Sequence, residues 1–326
     1  MSAVWSKSEH WVALCGGIGG AKLALGLARI LPADALTIVV NTGDDFRHFG
    51  LHVSPDIDTV LYTLAGQSNT ELGWGLAGES WRFMDRMEQL GGPAWFRLGD
   101  TDLATHALRT EMLQEGWTLS EVTGHLAARL DIGPAIVPMS DEPVATMVDT
   151  DEGTLAFQTY FVGRRTEPRL KAVRFEGAEK AKPAPAAAQA MQRHDLAGII
   201  ICPSNPWLSI DPLLAIPGWR ELIAKRKAPA VAVTPLVGGQ AVKGPTAKIM
   251  GELGLPLDVT TIVDHYSGLI DGFVLDAVDG DRAGTLKLPT RVTNTMMRLL
   301  EDRTALAETV LGFCRELRQR GPETAR

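Results

Sequence analysis

The sequence predicts an α/β fold: a doubly wound, mostly parallel Rossmann-like sheet carrying a smaller peripheral β-containing insertion. Three observations lead there. An apolar run at residues 12–14 meets a glycine-rich turn and then a helix-like stretch, residues 21–31, which Pro32 stops. A second apolar run, residues 36–40, ends in the polar loop Asn41-Thr42-Gly43-Asp44-Asp45. This completes a βαβ unit whose right-handed crossover sets the polar loops along one edge of a parallel sheet. After a change of pattern in mid-chain, residues 196–202 form a near-continuous apolar strand of the kind buried on both faces.

The remaining elements follow in order. Ser54 can cap a helix, and Pro55 sits where no intrahelical N–H bond is needed. Ile57, Val60, Leu61 and Leu64 then recur at helical spacing and give that helix one buried stripe. Residues 66–99, rich in tryptophan and glycine, are expected to be helical around 81–89, with further helices at 103–114 and 119–130. From 135 to about 174 the pattern turns to short β-like pieces, at 136–137, 145–148 and 155–162. Residues 180–190, KAKPAPAAAQA, read as a linker whose alanines equally suit a helix start. Strands are expected again at 230–234, 259–263 and 272–275, each preceded by a helical stretch. The implied division is a nucleotide-binding core of residues 10–134 and 191–318 around a lobe and linker at 135–190, with a frayed end at 319–326.

Bulk properties bound the function. With 326 residues, 45% hydrophobic and 22% charged, the chain can bury a sizeable core. Lysine and arginine number 32 against 39 aspartate and glutamate, a net charge of -7. Neither nucleic acid nor an anionic membrane is therefore expected as a partner, and any phosphate site must be local. Cys15, Cys202 and Cys314 are odd in number and far apart, which suggests neither a disulfide framework nor a cysteine metal cluster. No apolar run is long enough to span a bilayer, and the first ten residues lack the apolar core of a signal peptide, so the cytoplasm is the expected compartment.

The chemistry-bearing residues cluster at predicted strand ends. Gly16, Gly17, Gly19 and Gly20 allow dihedrals and close approaches that side chains resist, and their N–H groups at a helix start can surround a phosphate. A tight turn beneath close helix–sheet packing is the alternative reading. Lys22 stands where it could add charge near phosphates or simply be solvated. The glycine order matches neither a dinucleotide fingerprint nor a P-loop, which argues against an oxidoreductase. Asp45 with Asp56 or Asp58 could supply the oxygen ligands of Mg2+ bridging phosphates. Asp56 and Asp58 lie two apart on a helix, so at most one is expected to aim fully into a shared site. Asp100 and Asp102 stand in a third strand-end loop, where Asp102 could equally cap the next helix, and His106 could be a proton carrier or a packing residue. Ser204 and Asn205 are held between two prolines after the most apolar strand, and Gly238, Gly239 and Lys243 offer a second phosphate grip or a flexible connection. Together these point to a nucleotide-dependent phosphoryl or phosphodiester enzyme with a carboxylate-bound metal.

Seven ordered motifs then carry a resemblance: CGGIGGAK at 15–22, NTGDD at 41–45, SPDIDTVLYTL at 54–64, RLGDTD at 97–102, MSDEPVAT at 139–146, CPSNPWLSIDPLL at 202–214 and GGQAVKGPTAK at 238–248. They are similar to the 2-phospho-L-lactate transferase family of deazaflavin coenzyme F-420 biosynthesis. The resemblance implies a doubly wound α/β enzyme, usually homodimeric. Such an enzyme joins the lactyl, enolpyruvyl or glyceryl acid of a diphosphoguanosine donor to the 5'-hydroxyl of Fo, releasing GMP. By motif it implies that Gly16 to Gly20 hold donor phosphates and that Asp45 with Asp56 or Asp58 organises Mg2+. It further implies that Ser204 and Asn205 fix the donor nucleotide, Lys243 faces phosphate charge and the Asp100–Asp102 loop approaches the acceptor. Asp45 and Asp58 are the candidates for any protein base. A nucleotide-sugar-binding regulatory protein of related fold is the alternative; the CPSNP and VKGP loops favour the transferase.

Overall fold

The computed structural model describes residues 8–241 and 244–320. The chain opens with β1 (His10–Cys15), α1 (Gly17–Ile30), β2 (Leu36–Val40) and a hairpin of β3 (Phe46–His48) and β4 (Leu51–Val53). Four helices follow: α2 (Pro55–Leu64), α3 (Arg82–Gln89), α4 (Asp102–Gln114) and α5 (Leu119–Arg129). Next come β5 (Ala135–Pro138), β6 (Ala145–Thr150), β7 (Gly153–Ala156), β8 (Leu170–Glu176), α6 (Pro185–Met191) and β9 (Leu196–Ile201). The last third holds α7 (Asp211–Ala215), α8 (Trp219–Ala224), β10 (Ala230–Val233), β11 (Leu236–Val237), β12 (Gln240–Ala241) and α9 (Thr246–Glu252). It closes with α10 (Val259–His265), β13 (Gly272–Asp276), β14 (Thr290–Thr293) and α11 (Leu300–Arg320).

Seven strands form one parallel sheet in the order β14-β13-β10-β9-β1-β2-β5. The order reverses between β1 and β9. From β1 the chain winds outward through β2 to β5, then returns to place β9 on the other side of β1. Such a reversal leaves a crevice outside the carboxyl ends of the two strands, where loops part in opposite directions and ligands bind. The two-residue period of β1 divides the core. Trp11, Ala13 and Cys15 face a layer that includes residues of α1, α2, α5 and α11, while Val12 and Leu14 face one that includes α6 to α10. Helices therefore cover both faces, and the doubly wound α/β class holds.

The peripheral β-structure is a three-stranded antiparallel sheet in the order β7-β6-β8, with Val148 and Leu170 buried in the larger core cluster. β5 pairs with β2 as an edge of the main sheet, so residues 135–138 belong to that sheet. The expected linker at 180–190 runs into α6, with Pro185 in its first turn and Ala187, Ala190 and Met191 buried.

Three expectations fail. Ser54 precedes α2 but its side chain does not cap it, because its Oγ donates to Asp45 at 2.7 Å instead. Residues 259–263 are not a strand: they lie in α10, where the Asp258 carboxylate accepts from the Thr260 N–H at 2.8 Å and caps the helix. The β-branched run misleads, but Val259, Ile262 and Val263 share one buried face at helical spacing. Residues 155–162 are not one strand either, because β7 ends at Ala156 and residues 159–163 close a single wide π-helical turn. Among the described residues, no helix is long and apolar enough to cross a membrane.

The packing of α1 against α11 depends on Gly26. A Cβ built there would lie 2.2 Å from the carbonyl oxygen of Arg303, a backbone atom that cannot swing aside. Gly26→Ala is expected to lower unfolding free energy by about 1–3 kcal/mol in urea titration; an unchanged midpoint would mean that α11 can shift without loss.

Candidate active site

A cavity of about 850 Å³ opens at the carboxyl ends of β1 and β9, where the strand order reverses. One wall is the glycine turn. The Gly16 N–H donates to Ser204 Oγ at 3.0 Å, and the same hydroxyl donates back to the Gly16 carbonyl at 2.8 Å, so the loops after β1 and β9 are clamped together. The Gly17 N–H donates to Asp56 Oδ1 at 2.7 Å, and Gly17 has φ +64°. A Cβ on Gly16 would lie 2.4 Å from Asp56 Oδ2, and one on Gly19 would lie 2.4 Å from the Pro203 carbonyl oxygen. The turn is thus glycine because α2 and the β9 loop press against it. Its amides also open the first turn of α1, which carries no acidic side chain, and Ile18 and Gly19 border the cavity. Such a helix start favours an anion. Lys22 borders the same space, its Nζ donating to the Met297 carbonyl at 3.0 Å.

Beside the turn stands a buried acidic pair. Asn41, at the end of β2, donates through one nitrogen to Asp44 Oδ1 at 3.0 Å and to Asp56 Oδ2 at 2.9 Å. Gln158 Nε2 donates to the other oxygen of Asp44 at 3.3 Å. Burial pushes the Asp44 carboxyl well above the usual range, and the neighbouring Asp56 and Asp45 push it further. Burial likewise raises Asp56 to about 6, although hydrogen bonds from Asn41 and Gly17 oppose it. Asp44 and Asp56 both border the cavity.

Asp45 turns the other way. It accepts from Ser54 Oγ at 2.7 Å and meets His52 Nε2 at 3.1 Å; its Oδ1 is buried without a hydrogen-bond partner. It stands behind the lining, and burial raises its carboxyl in spite of His52 and Ser54. Asp58, one half-turn from Asp56 on α2, borders the cavity but faces α4, where Arg109 grips it with both terminal nitrogens. The two helix carboxylates thus diverge to different partners while sharing one cavity. Among the described residues, no group of three or more His, Cys, Asp or Glu side chains stands ready to hold a metal.

The opposite wall is aromatic and capped in an exchanged manner. Trp74, Trp95, Phe96 and Phe161 border the cavity, and the first two and Phe161 also reach solvent. Asp102 accepts from the Tyr62 hydroxyl at 2.5 Å and lies 3.2 Å from His106 Nε2. Burial would raise the Asp102 carboxyl, but His106, Tyr62 and Arg109 together bring it below the usual range. Glu79 accepts from the Thr101 and Asp102 N–H groups at 2.8 and 2.7 Å, at the start of α4. In return Asp100 accepts from the Arg82 and Phe83 N–H groups at 3.2 and 3.1 Å, at the start of α3.

The remaining expected residues sort by these contacts. Asp100 is an exposed helix cap away from the cavity lining. Gly238 and Gly239, with φ +60° and +66°, make the β11–β12 hairpin turn, and the Gly238 N–H donates to Asp279 at 2.9 Å. Neither lines the main cavity; Gly244, Pro245 and Thr246 reach it instead. Lys243 lies outside the described residues. Asn205 accepts from the Trp207 and Leu208 N–H groups and donates to Thr246 Oγ1 at 2.9 Å, so it borders the cavity while tying its two flanking loops. Sequence reasoning passed over Asn41, Asp44, Gln158 and Arg109. Asn41 and Asp44 were inside the NTGDD motif, and Arg109 continues a charged stripe with Asp102 and His106 at helical spacing.

The sequence profile of the family described as 2-phospho-L-lactate transferase CofD matches residues 11–294. A phosphoenolpyruvate transferase of Streptomyces griseus subsp. griseus is 40% identical over 316 residues, covering 94% of this chain and 99% of that protein. A 2-phospho-L-lactate transferase of Methanosarcina acetivorans is 38% identical over 305 residues, covering 93% and 98%. Among solved structures, a UPF0052-family protein from Bacillus halodurans superposes with TM-score 0.62 at 16% identity, covering 94% of this chain and 99% of that one, which is a likeness of fold. A profile match across most of the chain, with relatives at this identity over nearly their full lengths, establishes that the chain belongs to the 2-phospho-L-lactate transferase CofD family.

Proposed function

We propose that this chain transfers a 2-phospholactyl, phosphoenolpyruvyl or phosphoglyceryl unit from a diphosphoguanosine donor to the 5'-hydroxyl of the deazaflavin Fo. The Fo oxygen bonds to the phosphorus bearing the small acid, the bond from that phosphorus to the bridging oxygen breaks, GMP leaves with that oxygen, and the hydroxyl proton passes to water. The observation that carries the reading is the Gly17–Asp56 hydrogen bond, because it joins the anion-binding turn and the acidic helix in one cavity wall. The family membership supports the same chemistry.

In this reading Gly16 to Gly20 and Lys22 receive the donor phosphates, while Ser204 and Asn205 hold the loop that faces its nucleotide. Lys243 remains the proposed partner of phosphate charge, and Gly238 and Gly239 form the hairpin turn that precedes it in sequence. The residues fit a hard cation. Asp44 and Asp56 are buried around one shared amide donor and pushed toward protonation, and a cation beside them would let both ionise. We assign Mg2+ to this pair, with Asp45 behind it, in place of Asp58, whose oxygens face Arg109. Mg2+ would supply positive charge to the bridging phosphates. Asp58 still has lone pairs to accept the hydrogen bond of the acceptor hydroxyl. The rim of Trp74, Trp95, Phe96 and Phe161 offers flat apolar faces to the Fo ring, with Asp102 below. The reading includes the homodimer that the family resemblance implies.

Protein supplied with Mg2+, Fo and each of the three guanylated acids should release GMP and form the matching phosphodiester, read by mass spectrometry. No turnover with any donor would overturn the assignment, and donor retained without consumption of Fo would favour a binding-only protein. Asp44→Asn and Asp56→Asn should each slow transfer by about 100-fold or more with the fold kept; an unchanged rate would remove that residue from the site.

The Asp56 value of about 6 gives a pH prediction. As pH rises from about 4, the unfolded chain releases this proton first, while the folded chain keeps it until about 6. This group's contribution to stability is therefore largest at low pH and is lost as pH rises through that window. Mg2+ should raise the unfolding temperature more at pH 7.5 than at pH 5, and Asp56→Asn should reduce the difference. Equal shifts at both pH values would argue against a cation on this pair.

A further inference from the structure

Among the described residues Arg109 is the one charged side chain among the largest fully buried ones, with 0% exposure, and it does not border the cavity. Its two terminal nitrogens grip Asp58, while its buried Nε has no hydrogen-bond partner. The plane of the guanidinium is therefore set by Nη1 and Nη2 alone. Besides Asp58, Nη1 meets His106 Nδ1 at 3.3 Å and the His52 carbonyl at 3.5 Å.

The His106 contact fixes more than distance. A guanidinium only donates, so the Nδ1 that faces it must carry a lone pair, and the ring hydrogen belongs on Nε2. Nε2 lies 3.2 Å from Asp102 Oδ2, a carboxylate already held by the Tyr62 hydroxyl, but completes no hydrogen bond there, and Nδ1 also lies 3.6 Å from Asp58 Oδ2. A line of contacts thus runs from Tyr62 and Asp102 past His106 to Arg109 and ends on Asp58. Tyr62, Asp58, Asp102 and His106 all border the cavity. A buried ion pair is weak ground for stability, since well-packed apolar groups often do as well. Placed against a cavity wall, the same pair holds one carboxylate in one pose.

We propose that Arg109 is a positioning residue for Asp58, and that His106, accepting through Nδ1, locks the guanidinium that does the positioning. The consequence is a fixed Asp58 carboxylate at the acceptor end of the site. This rests on the transfer reaction proposed above only in its kinetic arm.

Two substitutions separate the contacts of His106. Asparagine places an oxygen near the position of Nδ1, whereas glutamine places its amide near Nε2. His106→Gln is expected to lower kcat by about 10- to 100-fold with the donor KM nearly unchanged, and His106→Asn, which keeps an acceptor near Nδ1, to lower it clearly less. Arg109→Lys, which keeps the charge and loses the fork, should resemble His106→Gln. Thermal unfolding of each variant shows whether the fold is kept. Equal losses in the two His106 variants, or full activity in His106→Gln, would overturn the proposal; absence of transfer by the parent protein would instead sink the functional reading. Long-range 1H–15N NMR supplies a test independent of turnover: His106 should show a bare Nδ1 and a hydrogen on Nε2, and a hydrogen on Nδ1 would overturn the arrangement.

Discussion

Carboxylates taken out of water together must share a proton, a donor or a cation, and the site is built on that constraint. Asp44 and Asp56 meet at the amide of Asn41, and their carboxyls are raised because burial removes the water that would otherwise stabilise charge. The second oxygen of the Asp56 side chain takes the Gly17 N–H, so the same residue that needs positive partners also holds the mouth of the anion-binding turn. Asp58, one half-turn along the helix, meets the constraint differently, with a complete arginine fork. One short helix therefore presents two carboxylates in opposite electrostatic settings to a single cavity.

The fold supplies the geometry for this division. Because the strand order reverses between β1 and β9, the loops after those strands separate and leave room at the sheet edge. Ser204 then draws them together again at Gly16 with two hydrogen bonds. The relatives named as phosphoenolpyruvate and 2-phospho-L-lactate transferases match this chain to similar extents. That similarity agrees with a shared scaffold in which the small acid differs at one carbon centre.

Much of the fold was legible because it lies in local patterns. The run at residues 36–40 coincides with β2, Pro55 opens α2 although Ser54 turns its hydroxyl to Asp45, and the glycine turn opens α1. The strand expected at 259–263 was wrong because β-branched residues suit strands in general, while here Val259, Ile262 and Val263 fall on one buried helical face behind the Asp258 cap. Within the site, the sequence could mark polar strand-end loops but not the direction of each side chain. Adjacent Asp44 and Asp45 diverge, one toward the cavity and one toward His52, and only tertiary packing decides between them. Arg109 was missed because its partner is 51 residues away in sequence. Asp100 looked like a ligand because a cap and a binding residue use the same chemistry: a carboxylate aimed at backbone N–H groups.

The exchanged caps of α3 and α4 have a mechanical consequence. Glu79, ahead of α3, satisfies the amides that begin α4, and Asp100, ahead of α4, satisfies those that begin α3. Pulling either segment away exposes both helix starts at once, so the loops bearing Trp74 and Trp95 are coupled like the two halves of a buckle. Opening a gap between the two segments would therefore break both sets of cap bonds together.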